Sequence, residues 1–245
     1  MGLNKEEIKQ LHNNFIVLRE HKILDKIPFV IKSYTWGEEK DFVKMFDEFE
    51  PGDSNLYVQN KIVEQTLKHT LVSYDNEKMN PKKIENFSPE KINYIFEKYK
   101  ELSEDVESYL EEFGEKDLTD EEIEEYILTD KITRNITLKH EEDIRPLKFS
   151  YRILNLKENK EIGKKVKERI NEEDIKTKLA SDYINEDLYA QSMINSINGH
   201  KINKNNIYKI GVEIIKFILN RAGKVENQMN KILKNPKKMG ENLKN

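Results

Sequence analysis

Apolar residues recur along the chain with two periods, and each change of period marks a new element. From residue 5 to residue 20, Ile8, Leu11, Phe15 and Leu18 stand at helical spacing. Pro28 then opens a short apolar strand, PFVIKSY. At Thr35 the helical period returns: Phe42, Met45, Phe46 and Phe49 share one face, and Pro51-Gly52 ends the run. Thr35 and Glu38 have the spacing of a capping box, in which each side chain accepts from the other residue's backbone amide. A further helical pattern covers 55–73, through Leu56, Val58, Ile62, Val63, Thr66, Leu67 and Leu71, and a turn follows at YDNEKMNP.

Ser88-Pro89 starts the next helix, with serine as N-cap and proline where its missing N–H does no harm. Its face is Ile92, Ile95, Phe96, Tyr99 and Leu102, continuing after a break at Ser103 through Val106, Tyr109, Leu110 and Phe113. Residues 111–130 are densely acidic, and Thr119 with Glu122 makes a second capping box. This stretch reads either as a charged linker with a short solvated helix or as an acidic docking patch. The period then drops to two. Ile132, Arg134, Ile136 and Leu138 alternate with polar neighbours, as do Leu147, Phe149, Tyr151 and Ile153, which predicts a hairpin of two half-buried strands. Helical spacing resumes over 155–170, 174–197 and 205–221, with a last stretch through Val225, Met229, Ile232 and Leu233.

Superposing YTWGEEKDFVKMF on LNLKENKEIGKKV, at an offset of 120, aligns Trp36 with Leu156, Glu38 with Glu158 and Phe42 with Ile162. Asn155 stands for Thr35, and both are good N-caps. SYDNEKMNP aligns with SINGHKINK at an offset of 123. Strand, capped helix, long helix, turn and final helix thus recur in one order. The expected architecture is mainly α with a small antiparallel β component (α+β), built from two similar strand-then-helices modules. The expected division is an N-terminal helix at 1–27, a first helical module at 28–113, an acidic linker and strand at 114–146, a second module at 147–235 and a basic tail at 236–245. In that division 114–139 is the connection between copies. A position that accepts Trp36 or Leu156 reads as a hydrophobic plug between strand and helix, with a partner anchor as the alternative.

Composition narrows the function classes. The chain carries 42 basic and 46 acidic residues, a net charge of −4, so no global field attracts nucleic acid or an anionic membrane. Charged residues make up 36% and mean hydropathy is −0.83, which leads to an expectation of thin or divided cores. There is no cysteine, which excludes disulfides and thiol chemistry. No apolar run approaches the roughly 20 residues of a membrane helix. His12, His21, His69, His140 and His200 form no i,i+4 pair and no HExxH, so they read as solvated or singly hydrogen-bonded. The nine glycines assemble neither a P-loop nor a GxGxxG. No cofactor, metal or catalytic residue is expected. The lysines after Lys224 and in NGHKINKNN can touch phosphates, but no arginine cluster or aromatic platform accompanies them, so nucleic acid is the lesser partner class.

The strand and corner PFVIKSYTWGEEKDF resembles the opening of phage tail assembly chaperones. The corner is Tyr34-Thr35-Trp36-Gly37-Glu38, and the polar turn tip is Tyr74-Asp75-Asn76-Glu77. In the second copy, Leu154-Asn155-Leu156-Lys157-Glu158 lacks the Trp and Gly, although its tip, Asn198-Gly199, is closer to the family pattern. The resemblance implies a non-enzymatic protein of the host cytoplasm that binds a helical or aggregation-prone phage structural protein, such as the tape measure, a hub or another tail or baseplate subunit. It also allows a permanent component of the virion tail or baseplate. The candidate protein-binding residues are Trp36, Phe42, Phe46, Tyr99 and Phe217.

Overall fold

The computed structural model describes residues 2–50, 52–113, 118–130 and 132–234. The expected basic tail and residues 114–117 of the expected linker lie outside the described residues.

The first helix, α1 (Lys5–Asn14), opens on a capping box between Asn4 and Glu7 and stops at Phe15, whose backbone is left-handed (φ 64°). The helix expected through residue 20 therefore ends early. Leu18–Ile23 is a strand, β1, paired antiparallel with β2 (Ile27–Lys32). The Thr35–Glu38 capping box then starts α2 (Trp36–Met45), and Ser54 caps α3 (Asn55–Thr70). The last residues of the expected 55–73 helix are instead β3 (Leu71–Tyr74), which turns at Asp75-Asn76 into β4 (Glu77–Lys78). Short α4 (Pro81–Ile84) leads to α5 (Pro89–Glu111), which runs through Ser103 without the expected break.

The second half follows the same order: α6 (Asp120–Thr129), β5 (Ile132–Leu138), β6 (Leu147–Ile153), α7 (Leu156–Glu172), α8 (Lys178–Met193), β7 (Ile194–Ile197), β8 (His200–Lys201) and α9 (Val212–Lys234). A short 3-10 turn at Ile207–Lys209 stands where α4 stands in the first half. The sheets are two separate four-stranded antiparallel units, β1-β2-β3-β4 and β5-β6-β7-β8. The described residues are 59% helical, so the fold is mainly α with a small antiparallel β component.

The two halves match in detail. Phe29 pairs with Tyr74 and Ile31 with Leu71, across an irregularity at Val30/Ile31. Phe149 pairs with Ile197 and Tyr151 with Ile194, across the same irregularity at Ser150/Tyr151. The ion pairs Arg19–Glu7 and Lys32–Glu38 recur as Arg134–Glu122 and Arg152–Glu158. Asp75-Asn76 and Asn198-Gly199 turn with positive φ at matching places. The segment expected to connect the copies is thus the opening of the second copy, with α6 and β5 as counterparts of α1 and β1. Each 23-residue helix, α5 and α9, packs on an inner strand of its own sheet, β2 or β6, and the two helices pack on each other. The buried residues form one cluster running through both copies rather than divided cores.

Candidate functional site

A buried polar cluster lies where the copies meet. The Trp36 indole is 0% exposed and sits against Tyr183 of α8, ring centroids 4.9 Å apart. Its Nε1 donates to Asp187 Oδ1 at 2.9 Å, its backbone N–H to the Ile210 carbonyl at 2.7 Å, and its carbonyl accepts from Tyr183 Oη at 2.8 Å. Gly37 lets the helix start approach closely: a Cβ there would lie 3.0 Å from the Tyr208 carbonyl oxygen, a tight contact.

Asp187 is fully buried, which is costly for a carboxylate unless donors surround it. Besides Trp36, it accepts from Arg169 Nη1 at 2.7 Å, Gln191 Nε2 at 2.9 Å and Tyr208 Oη at 3.0 Å. Arg169 also holds Glu173 (2.7 Å), and Glu173 meets Lys44 of α2 at 2.6 Å. Burial pushes the Glu173 carboxyl up, but the bonds from Arg169 and Lys44 outweigh it and hold the group down at about 2. The chain of charges therefore leaves the first copy at Lys44 and returns to it at Trp36.

A second seam involves α1. His12 is fully buried rather than solvated. Its Nδ1 lies 2.7 Å from the Arg145 carbonyl, which can only accept, so Nδ1 carries the proton. Its Nε2 then accepts from Tyr109 Oη at 2.8 Å. Asn198 Nδ2 donates to the His12 carbonyl at 2.6 Å, and Lys5 pairs with Glu141 and Asp143. Burial lowers the His12 pKa below its usual value. Where Gly211 passes Phe15, its N–H donates to the Phe15 carbonyl at 2.9 Å, and a Cβ at this position would come within 2.5 Å of that oxygen.

The candidate binding residues separate. Trp36 and Phe217 are in the core, Phe217 against Phe149 with the Arg221 guanidinium 4.8 Å above its ring. A partner cannot touch the indole of Trp36 in this fold. Phe42, Phe46 and Tyr99 are half-buried and come together in one row of rings: Phe96, Tyr99, Tyr34, Phe42, Phe46, Phe49 and Tyr57, each within 6.3 Å of the next. The row ends at the start of α3, where Leu56 is 68% and Tyr57 47% exposed.

A hollow of about 470 Å³ lies along α9 and α5, lined by Glu107, Glu213, Lys216, Phe217 and Arg221 among others. Burial pushes the Glu213 carboxyl up to about 7, against the pull of its own backbone amide and of Ser103 Oγ, which donates at 2.9 Å. Such a group can exchange a proton near neutrality. Among the described residues, no three His, Asp or Glu side chains converge as a metal site requires. No helix is long and apolar enough to cross a membrane among the described residues.

Sequence reasoning passed over Asp187, Arg169 and Glu213, and read His12 as solvated or singly hydrogen-bonded where it is buried with two ring bonds. For Asp187 a signal existed: it shares the helical face of Ala180, Tyr183, Ile184 and Ala190, where an acid is out of place. No family model matches the chain, and neither a curated protein nor a solved structure does.

Proposed function

We propose that the chain is a non-enzymatic assembly factor of a phage tail or baseplate, chaperone-like towards a helical or aggregation-prone tail component. The observation that carries this reading is the aromatic row along α2 and α3, half-buried for most of its length and open at Leu56 and Tyr57. An amphipathic helix lays its apolar side into a surface of this kind, with aromatic rings supplying area at low conformational cost. The corner Tyr34-Thr35-Trp36-Gly37-Glu38 supports the phage assignment through its resemblance, and the indole positions α2 rather than meeting the partner. The test is co-purification of the untagged chain with the tape-measure, hub and baseplate products of the same genome. Leu56→Glu with Tyr57→Lys should abolish capture while leaving the melting temperature near wild type. Undiminished capture by that variant, or no capture by the wild type, would sink the reading.

A permanent place in the particle is the second reading. It is favoured by the seam, whose buried hydrogen bonds at Trp36 join the two copies as one body able to hold two neighbours. Mass spectrometry of purified virions separates the two: the chaperone is absent from the particle, the structural component present in fixed stoichiometry.

A further inference from the structure

The two copies are joined asymmetrically. The opening helix of the first, α1, lies on its own β1 through Glu7–Arg19 and reaches across to the second copy. There His12 meets the Arg145 carbonyl, Asn198 meets the His12 carbonyl, and Lys5 and Lys9 face Glu141 and Asp143 of the β5–β6 loop. The opening helix of the second copy, α6, lies on its own β5 through Glu122–Arg134 but buries none of its residues. Aligning the left-handed caps Phe15 and Asp130 gives the counterparts. Buried His12 becomes Ile127, 45% exposed, and the next residue, Leu128, is 82% exposed. The corner shows the same contrast: Trp36 is 0% exposed and its counterpart Leu156 is 70% exposed.

The receiving element is also left over once. In the second copy the β5–β6 loop takes α1. In the first copy, among the described residues, no opening helix lies on the matching β1–β2 turn, and Leu24 at its tip is 84% exposed with φ 50°. Charge is reversed between the used and unused pairs. In the used pair, basic Lys5 and Lys9 face acidic Glu141 and Asp143. In the unused pair the same helix positions are Asp120 and Glu124, and the end of β1 and the turn carry exposed Lys22 and Lys26 with Asp25.

We propose that α6 of one chain docks on the β1–β2 turn of a second copy of this chain, repeating between molecules the contact that joins the halves within each. Ile127 and Leu128 cover Leu24, and Asp120 and Glu124 face Lys22 and Lys26. The interface is heterologous, so it builds rings or open filaments rather than a twofold dimer. It does not use the α3 face assigned above to a tail partner, and it stands or falls independently of that reading.

Sedimentation velocity of the full chain tests it, with three proteins: wild type, a donor-blocked variant (E124K with L128K) and an acceptor-blocked variant (K22Q, L24Q and K26Q). All the changed side chains are exposed, and far-ultraviolet circular dichroism verifies the folds. The wild type should form species larger than two chains that grow with concentration and shrink at about 0.5 M salt, where charge pairs are screened. Each blocked variant should stay monomeric, and their equimolar mixture should stop at two chains, because one intact α6 then meets one intact turn. A wild type that stays monomeric up to about 1 mM overturns the proposal and leaves these faces to a different protein. Assembly of either blocked variant to the wild-type extent, or failure of the mixture to dimerise, overturns it as well.

Discussion

Trp36 and Asp187, from different copies of the repeat, share a 2.9 Å hydrogen bond between two groups wholly shielded from solvent. The bond fixes α2 against α8. It also makes the lone tryptophan a structural residue. Trp36→Ala should cost about 3–5 kcal/mol in urea unfolding, the range for emptying a large aromatic site. Trp36→Phe keeps most of the packing and leaves Asp187 with its donors from Arg169, Gln191 and Tyr208. Its cost should be nearer 1 kcal/mol. A Trp36→Ala protein as stable as wild type would place the indole outside the core.

Glu213 makes stability fall as pH rises. Its folded pKa, about 7, lies above the ordinary 4.5, so between these values the folded state binds the extra proton. Stability from this group is full below about 4.5 and is lost as pH passes 7. Glu213→Gln keeps an acceptor for Ser103 and cannot ionise. At pH 8 it should be more stable than wild type by on the order of 2 kcal/mol, with no gain at pH 4. Denaturation midpoints at the two pH values check this.

His12 acts in the opposite sense. Its folded pKa is lowered from 6.5, so below 6.5 the unfolded chain binds the proton more readily. Stability from the neutral ring is full above 6.5 and declines as pH falls towards the depressed folded value. Hydrogen-exchange protection of α1, taken relative to the intrinsic amide rate at each pH, should fall on acidification through this window more than that of α5. His12→Ala should remove the difference while lowering stability at pH 7.5 by about 1–3 kcal/mol, since Tyr109 and the Arg145 carbonyl lose their partner.

Two glycines should respond in opposite directions to alanine. At Gly211 the new Cβ meets the Phe15 carbonyl at 2.5 Å, backbone against backbone, and the substitution should cost about 1–3 kcal/mol or more. At Gly163, inside α7, nothing lies within 4 Å, and alanine should stabilise by up to about 1 kcal/mol through helix propensity. Thermal melts of the two variants provide the comparison.

What the chain revealed before folding follows the range of the interactions involved. The capping boxes at Thr35 and Thr119 are local and form as their spacing predicts, and Asn155 caps its helix as expected. Strands β5 and β6 are seven residues each, long enough for the alternation to be read. Strands β3 and β7 have four residues and continue the spacing of the helices before them, so LVSY and INSI read as helix ends. The offsets of 120 and 123 span the middle of the repeat, whereas α1 with β1 and α6 with β5 share too little residue pattern for their equivalence to show in the sequence. The equivalence of Trp36 and Leu156 holds for the backbone only. One is buried and the other exposed because α8 of the second copy covers the first, and no local pattern carries that contact. Asp187 and His12 likewise owe their roles to residues more than a hundred positions away.

Because the chain has a single tryptophan and the protein folds it into the seam, its emission reports one event. While the copies stay joined, the indole is dry and bonded to a carboxylate. When they part it meets water and its spectrum shifts to the red, whether or not the two sheets have melted. Comparing that shift with the loss of ellipticity during unfolding tells whether the fused copies come apart before they unfold, with no label added to the chain.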